Sequence, residues 1–266
     1  MKLPKKLYKY EKFSTKRLSS LKNQNIYFSS PESFNDPFDC AIGFSLKELN
    51  LDQVNTLYEH YKNVHHLKEE FVRKFQEPTD EFKNAVYKGA FDAFEQSRNK
   101  MLKERGVACF SEKVDDILMW SHYSDGHKGY CLEFDTTCDP FNHALPVEYE
   151  VNLPEINILS FVLSDEYSEI MKIFKTKYEQ WEYEKEWRIF HDEAGKLYGY
   201  DAPALTGIYF GSEIPYSHLE ILALILQGQN PNVNLYKMHK NEHKYSVYYE
   251  KVTYTSYIEA KKLGLA

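Results

Sequence analysis

Two stretches of the chain concentrate side chains that can stack, hydrogen bond or exchange protons. The first, Ile117 to Phe134, contains the run WSHYSDGHKG, whose polar groups interrupt the alternation expected of a plain core strand. An apolar strand, Gly129 to Phe134, follows at once, so we expect a polar turn that presents a pocket wall on a rigid scaffold. The candidate site residues of this stretch are Trp120, Ser121, His122, Tyr123, Asp125 and His127.

The second stretch is WEYEKEWR, from Trp181 to Arg188. On a strand, Glu182, Glu184 and Glu186 would share one face, because side chains alternate with a period of two. Like charges on one face repel each other, so their burial would require a partner such as Arg188 or a cationic ligand. A solvent-facing edge strand is the alternative, whereas the two flanking indoles favour a walled cleft.

Other motifs of catalysis or metal binding are missing from the sequence. His122 and His127 are five residues apart, which is not the spacing of a helical metal site, so we expect no metal. His122 is either a structural turn residue or a ligand contact. The four cysteines lack CxxC spacing, and Cys131, within an apolar strand, is expected to be packed and inert. No P-loop, G-x-S-x-G or G-x-G-x-x-G pattern occurs.

The composition predicts a globular protein with a sizeable core. The chain has 266 residues, of which 42% are hydrophobic, and a formal net charge of −7. That charge argues against nucleic-acid binding over the whole surface. The first seventeen residues are rich in lysine and form either a local basic face or a solvated segment. No apolar run approaches the length of a membrane span, so we expect no membrane and a cytoplasmic location.

The elements that position these residues are predicted from apolar periodicity. We expect strands at Leu7 to Tyr10 and Asn25 to Ser30, a proline-forced turn at Phe34 to Asp39, and a helical block at 46–105. The remaining predicted elements are strands at Val107 to Ser111, Pro146 to Val151, Trp181 to Phe190 and Gly207 to Gly211, a helix about Asp165 to Tyr178, a helix or strand at HLEILALIL, and a C-terminal hairpin. The fold class is therefore α+β: one domain, 1–266, with a mainly antiparallel, aromatic-rich sheet and the helical block inserted in it.

These motifs resemble a bacterial family, domain of unknown function family 2971. The resemblance is carried by LYKY, YFSSPESFNDPFD, CFSE followed by ILMWSHYSDGHKGYCLEFD, WEYEKEWRI and GIYFG, and it spans nearly the whole chain outside the helical block. The order of the motifs is similar to the ADP-ribosyltransferase plan, which implies a split sheet and a late strand with a catalytic glutamate. The resemblance also implies a cytoplasmic toxin or phage-defence effector with a neutralising or regulatory partner.

The resemblance to ADP-ribosyltransferases implies a set of site residues. Glu186 would be the catalytic glutamate, with Tyr10 and Tyr27 at the reacting centre, and Glu184-Lys-Glu186 has the E-x-E form of some of these transferases. The chain departs from the usual pattern by lacking His or Arg in LYKY. The residues implied for NAD binding are Lys9, Ser29, Ser30, Trp120, His122, Tyr123 and Glu184.

The chemistry of such a site is cleavage of the bond between nicotinamide and ribose in NAD, which serves as a substrate. A carboxylate beside the ribose stabilises the oxocarbenium-like transition state, and an aromatic side chain can stack on the cationic nicotinamide. The acceptor would be RNA or protein. Two other hypotheses remain: a non-catalytic module that binds a nucleic acid or a peptide, and a nuclease whose metal is held by Asp36, Asp39, His122 and Glu186.

Overall fold

The structure is a computed structural model that describes residues 2–40, 44–64, 68–164 and 166–265. The strands are β1 Lys6–Glu11, β2 Asn25–Phe28, β3 Ser45–Leu46, β4 Gly106–Ser111, β5 Tyr130–Asp135, β6 Leu145–Pro146, β7 Glu148–Glu150, β8 Glu155–Ile156, β9 Thr176–Tyr178, β10 Glu186–His191, β11 Lys196–Gly199, β12 Leu205–Phe210, β13 Asn234–Lys240 and β14 Val247–Val252. The helices are α1 Thr15–Lys22, α2 Leu51–Asn63, α3 Lys68–Lys74, α4 Asp80–Glu104, α5 Ile117–Tyr123, α6 Ile158–Leu163, α7 Glu166–Lys175, α8 Tyr216–Gln227 and α9 Tyr257–Lys262. The expected α+β class is confirmed.

The chain divides into two compact units. Unit 1 consists of Met1–Ser30, Arg105–Val147 and Glu179–Ala266, and unit 2 of Pro31–Glu104 and Glu148–Tyr178. Helices α2, α3 and α4 lie within the stretch 46–105, where the helical block was expected, and unit 2 also includes a second segment. Asp165, at which the helix before the WEYEKEWR motif was expected to begin, lies outside the described residues.

Unit 1 is built on an 8-stranded sheet of order β14-β13-β12-β5-β1-β4-β10-β6. Every pairing in it is antiparallel except that of β12 with β13, which are parallel and are connected through α8. The sheet is therefore mixed, and HLEILALIL, which the sequence left open, forms a helix. This follows from the topology, since two parallel neighbours need a crossover rather than a hairpin.

The two faces of this sheet have different environments. Alternation along β1 places Tyr8 and Tyr10 on one side, which we call the front face, and Leu7 and Lys9 on the other, the back face. The back face carries the main apolar core, which α1 and α8 cover through Leu21 and other leucines. The front face carries a smaller, aromatic cluster, of which the buried members are Tyr10, Met119, Trp120, Cys131, Tyr209 and Met238.

The run WSHYSDGHKG is not the single turn that we expected. Its first part belongs to α5, because the Asp116 carboxylate accepts hydrogen bonds from two backbone N–H groups and caps the helix. The left-handed turn that follows has positive φ at Asp125, Gly126 and His127. The N–H groups of Gly126 and His127 donate to carbonyls of the last turn of α5, so the turn closes the helix and leads directly into β5.

We expected one strand from Trp181 to Phe190, but the structure divides this stretch into two elements. A 3-10 helix occupies Glu179–Glu184, and β10 begins only at Glu186. Lys185 between them has a φ of 44°, in the left-handed region, so the alternation of a continuous strand does not apply. Glu182 is accordingly exposed, whereas Glu184 and Glu186 are buried, and the three carboxylates do not share a strand face.

Unit 2 has its own helical core, formed chiefly by α2 and α4. Asn50 and Gln53 form a reciprocal capping box at the start of α2, and Tyr58 packs edge-on against Phe82 of α4. Two short parallel strand pairs, β3 with β8 and β7 with β9, complete the unit. In the expected turn after Pro31, the Asp36 carboxylate accepts from the N–H of Phe38, as an Asx turn requires. Among the described residues, no helix is both long and apolar enough to cross a membrane.

The buried acidic groups of unit 1 predict that stability falls at alkaline pH. Burial raises the pKa of the Tyr10, Tyr130 and Tyr200 phenols and of the Cys109 and Cys131 thiols. In an unfolded chain thiols titrate near pH ~8.5 and phenols near ~10. Above these values the unfolded state releases protons that the folded state keeps, so each group lowers the free energy of unfolding by about 1.4 kcal/mol per pH unit.

Urea unfolding between pH 7.5 and 10.5 measures this effect. We expect stability to be constant below about pH 8.5, to fall above it and to fall more steeply above about pH 10. Cys131→Ala should reduce the slope in the thiol range, whereas Cys138→Ala serves as a half-buried control. Equal stability at both ends of the range would contradict the prediction.

Candidate functional site

Two buried carboxylates lie where β4 and β10 meet on the front face of unit 1. In the antiparallel pairing, Glu186 is opposite Ser111 and Arg188 is opposite Cys109. The Arg188 guanidinium donates to Glu186 from Nε at 2.7 Å and from a terminal nitrogen at 2.9 Å, one bond to each carboxylate oxygen. Arg188 is fully buried and Glu186 is 5% exposed. This two-pronged geometry fixes the carboxylate in one orientation, and Arg188 is the partner that its burial requires.

The second carboxylate, Glu184, is held from two sides and is 3% exposed. The Tyr123 hydroxyl donates to its Oε1 at 2.6 Å, and the Ser111 hydroxyl donates to its backbone carbonyl at 2.6 Å. Lys185, in its left-handed conformation, separates the two glutamates and pairs with Glu182 at 2.7 Å. A non-glycine residue in this region costs of the order of 1–3 kcal/mol. The backbone is therefore strained at Lys185, between the two buried glutamates.

An aromatic group lies next to Glu184. His122 Nδ1 shares a hydrogen bond of 3.1 Å with the Tyr183 hydroxyl, and its ring lies edge-on to Trp181 with centroids 6.4 Å apart. Trp181 and Tyr183 are tilted against each other at 6.0 Å. His122 is exposed and the other two rings are half-buried, so this group offers flat surfaces close to Glu184.

Cys109, opposite Arg188, is a poor nucleophile in this setting. Burial, and then the neighbouring Glu186 carboxylate, raise the pKa of its thiol well above the usual value. The reactive thiolate is therefore a minor species at neutral pH. The chemistry of the site rests on its carboxylates, its arginine and its aromatic rings.

Tyr10 and Trp120 lie on the same face but inside the aromatic cluster. Their rings are edge-on with centroids 5.2 Å apart. The Tyr10 hydroxyl donates to the carbonyl of Lys113 at 2.9 Å, and the Trp120 indole N–H donates to that of Val114 at 2.7 Å. Tyr10 is 8% exposed and Trp120 is fully buried, so in this structure they form core contacts rather than a ligand surface.

Lys9 and Tyr27 belong to the opposite side of the sheet from Glu186. They line a back-face recess of about 10 Å³, together with the buried Glu11 and its ion-pair partner, the half-buried Arg17. A recess of that size holds about one water molecule. Lys9 alternates with Tyr8 and Tyr10 along β1 and so lies on the back face, and Tyr27 lines the same recess. The structure therefore does not bring Glu186 and Tyr27 together.

Ser29 and Ser30 were expected to line the nicotinamide pocket beside Tyr27. Ser29 forms a bridge to β4 in which its hydroxyl and its N–H both donate to the carbonyl of Val107. Ser30 follows and is half-buried. The Ser29 side chain therefore takes part in the contact with β4.

His127, the second histidine of the WSHYSDGHKG run, forms a hydrogen bond to Ser121. Its Nε2 lies 3.1 Å from the Ser121 hydroxyl, which itself donates to the carbonyl of Ile117 at 2.9 Å. The histidine is therefore the donor of this bond, and the serine is not activated as a nucleophile. The pair ties the left-handed turn to α5.

Sequence reasoning missed Ser111 and Tyr183 as parts of the site. Ser111 ends an apolar strand, and only the pairing of β4 with β10 shows that it reaches Glu184 and Glu186. Tyr183 would have pointed away from both glutamates on a regular strand, but it lies in the 3-10 helix. Among the described residues, no group of three or more His, Cys, Asp or Glu side chains is arranged to hold a metal ion.

Comparison with known families agrees with the motifs. Residues 119–189 match the model of the family described as "Protein of unknown function (DUF2971)". Over that segment the chain is similar to domain of unknown function family 2971, which supports the resemblance that the motifs indicated. The segment contains Tyr123, Glu184, Glu186 and Arg188, so most of the front-face site lies within the residues that match the family model. Searches of curated proteins and of solved structures returned no match.

Proposed function

We propose that this protein is an NAD-dependent enzyme similar to ADP-ribosyltransferases, with its reacting centre at Glu184, Glu186 and Arg188. The observation that carries the proposal is the pair of buried carboxylates, one of them forked by a fully buried arginine. Burying a charged side chain costs free energy. The left-handed conformation of Lys185, between the two glutamates, adds a further cost. Both costs support the interpretation that the arrangement is functional rather than structural. This proposal replaces Tyr10 and Tyr27, which lie elsewhere, as residues of the reacting centre.

The proposed reaction breaks the bond between ribose C1′ and the nicotinamide nitrogen. The bonding electron pair leaves with the cationic ring, which departs as neutral nicotinamide, and a nucleophile of the acceptor bonds to C1′ and loses its proton. Positive charge develops on the ribose in between, and Glu186, oriented by Arg188, stabilises that charge. Removing one such preorganised group typically lowers the rate by about 10²–10³-fold.

The aromatic group formed by His122, Trp181 and Tyr183 would hold the nicotinamide ring. The ring is cationic before cleavage and neutral afterwards, so stacking on aromatic faces favours the substrate by about 0.5–2 kcal/mol. Glu184, whose Oε1 accepts from the Tyr123 hydroxyl, would accept a hydrogen bond from a hydroxyl of the substrate or the acceptor. An RNA or protein acceptor and a role as a toxin or phage-defence effector remain part of this proposal.

Labelled NAD incubated with cell lysate tests the proposal. The wild-type protein should transfer label to macromolecules, and ribonuclease or protease treatment then identifies the acceptor class. Glu186→Gln should lower labelling by at least about 10²-fold, whereas Glu182→Gln, which changes an exposed glutamate of the same motif, should leave it unchanged.

Two results would count against the enzyme. Equal labelling by wild type and Glu186→Gln would remove Glu186 from its role. If no label is transferred, and single-stranded RNA raises the melting temperature whereas NAD does not, the aromatic group belongs to a non-catalytic binding module instead.

A further inference from the structure

The outer edge of β14 has no neighbouring strand in the described part of the chain. β14 is the last strand of the 8-stranded sheet and pairs with β13 alone. The N–H of Asn241 donates to the carbonyl of Ser246, so this pair is hydrogen-bonded, and hydrogen-bonded pairs alternate along an antiparallel ladder. Every second residue of β14 therefore directs its backbone N–H and C=O groups away from the sheet. These residues are Val247, Tyr249 and Lys251.

The outward backbone groups of β14 form an open template for a further strand. Within the described residues, no hydrogen bond uses them. Unpaired N–H and C=O groups in a row favour the addition of a strand. The edge is also fixed in place, because the Tyr249 hydroxyl donates to the carbonyl of Val114 and accepts from the Trp120 indole N–H at 3.1 Å. A fixed edge loses little conformational entropy when it pairs.

Helix α9 packs beside α8 on the side nearer to this edge. The Glu220 carboxylate of α8 accepts from the N–H of Tyr257, the first residue of α9, at 2.7 Å. His218 of α8 stacks on Phe13, which follows β1, with ring centroids 3.6 Å apart. Positions 218 and 220 are about 200° apart round a helix, so α9 and the segment after β1 flank α8 on opposite sides. Since β1 and β14 lie on opposite sides of β12 and β13, which α8 connects, α9 lies toward β14.

The side of α9 that faces away from its buried residue is apolar and exposed. The buried residue is Ala260. Ile258 is two positions earlier, about 200° round the helix, and is 71% exposed. Leu263 and Leu265, which follow the helix, are exposed as well. Apolar side chains exposed together in this way are typical of protein–protein contacts.

We propose that a second copy of this chain binds at this edge, with its own β14 antiparallel to β14 about a twofold axis at Tyr249. Tyr249 then pairs with Tyr249 of the second copy, and Val247 with Lys251 in both directions, so about six backbone hydrogen bonds form. The axis is perpendicular to the sheet and places both back faces on one side. The exposed apolar sides of the two α9 helices therefore meet, as a self-complementary twofold contact requires.

The charged side chains of β14 fit this register. With the axis at Tyr249, Glu250 faces Tyr248 of the second copy and Lys251 faces Val247. An axis at Glu250 would set two carboxylates opposite each other, and an axis at Lys251 two ammonium groups, and both arrangements are unfavourable. An axis at Tyr248 would leave about four backbone hydrogen bonds instead of six. The edge thus pairs with itself in one favoured register, independently of the proposed enzymatic function.

Light scattering coupled to size-exclusion chromatography, over a range of protein concentrations, tests the dimer. The wild type should reach twice the mass of one chain. Lys251→Pro removes an outward N–H and keeps the bonds to β13, so it should raise the dissociation constant at least about tenfold. Ile258→Lys places an ammonium group of each copy between the two α9 helices and should also weaken the dimer. Because Ile258 lies on an exposed helix side, this variant tests the contact even where Lys251→Pro fails to fold.

Two matched variants separate the edge from general effects of substitution. Lys251→Ala keeps the backbone N–H, and Leu197→Lys adds the same charge at an exposed apolar residue of β11, so both should remain dimeric. Amide hydrogen exchange reports the pairing directly, since the Tyr249 amide should be protected in the wild type and should exchange rapidly in Lys251→Pro. A monomeric wild type, or wild-type dimer affinity in both Lys251→Pro and Ile258→Lys, would overturn the inference.

Discussion

Alanine at Gly211 or Gly129 should destabilise unit 1 by about 3 kcal/mol, at the upper end of the cost of overpacking. A Cβ at Gly211 would fall well under 3.0 Å from the carbonyl oxygen of His127, and a Cβ at Gly129 equally close to the carbonyl oxygen of Glu11. Both obstacles are backbone atoms, which cannot rotate away. The N–H of Gly211 also donates to the carbonyl of Gly129 at 3.0 Å, so the two positions form one close backbone contact.

Urea denaturation of Gly211→Ala and Gly129→Ala measures this loss. Gly89→Ala is the control, because it lies within α4 and a Cβ there meets nothing within 4 Å. Alanine is favoured over glycine in a helix by about 1 kcal/mol, so the control should gain stability. Wild-type stability in Gly211→Ala would mean that the left-handed turn does not rest against the end of β12.

Loss of Arg188 should destabilise the protein by about 3–5 kcal/mol, because it leaves Glu186 buried without its forked partner. We expect Arg188→Leu to be less stable than the double variant Glu186→Leu/Arg188→Leu, since a buried apolar pair carries no uncompensated charge. The interaction free energy between the two positions comes from a double-mutant cycle in urea.

Arg105→Leu provides the comparison for this cycle. Arg105 pairs with Asp192 in the same unit, but the Asp192 side chain is 87% exposed, so its loss should cost about 1 kcal/mol or less. Additive effects of the single changes at Glu186 and Arg188 would contradict the structure, because they would show that the two side chains do not form a pair.

The sequence predicted the strands of unit 1 where their signal is local. The apolar pattern gives the positions of β1, β4 and β5 to within one or two residues. It could not give the order in which these strands pair, which depends on contacts between distant segments. Ser111, Tyr8 and Glu133 are the clearest case, since they become neighbours only through two strand registers.

Only part of the site could be predicted, again because the sequence shows local features and not contacts between distant segments. The WEYEKEWR pattern left open whether the glutamates are buried or form a solvent-facing edge, and it offered Arg188 as a partner that burial would require. The structure buries Glu184 and Glu186 and pairs Glu186 with Arg188. The left-handed Lys185 was not predictable, because lysine has no preference for that conformation, and it decides that Glu182 is exposed while Glu184 is buried. The resemblance to the transferase plan implied Lys9 and Tyr27. Alternation along β1 places Lys9 on the opposite face from Glu186, and Tyr27 lines the same recess as Lys9.

The most direct test of the central claim is a crystal structure of Glu186→Gln with NAD bound. The glutamine keeps the shape of the side chain and a hydrogen bond to Arg188, and it should slow cleavage enough to trap the substrate. We predict that the nicotinamide ring contacts Trp181 and Tyr183 and that its ribose lies within hydrogen-bond distance of residue 186. NAD bound at the back-face recess of Lys9 and Tyr27, with the front face empty, would contradict the account.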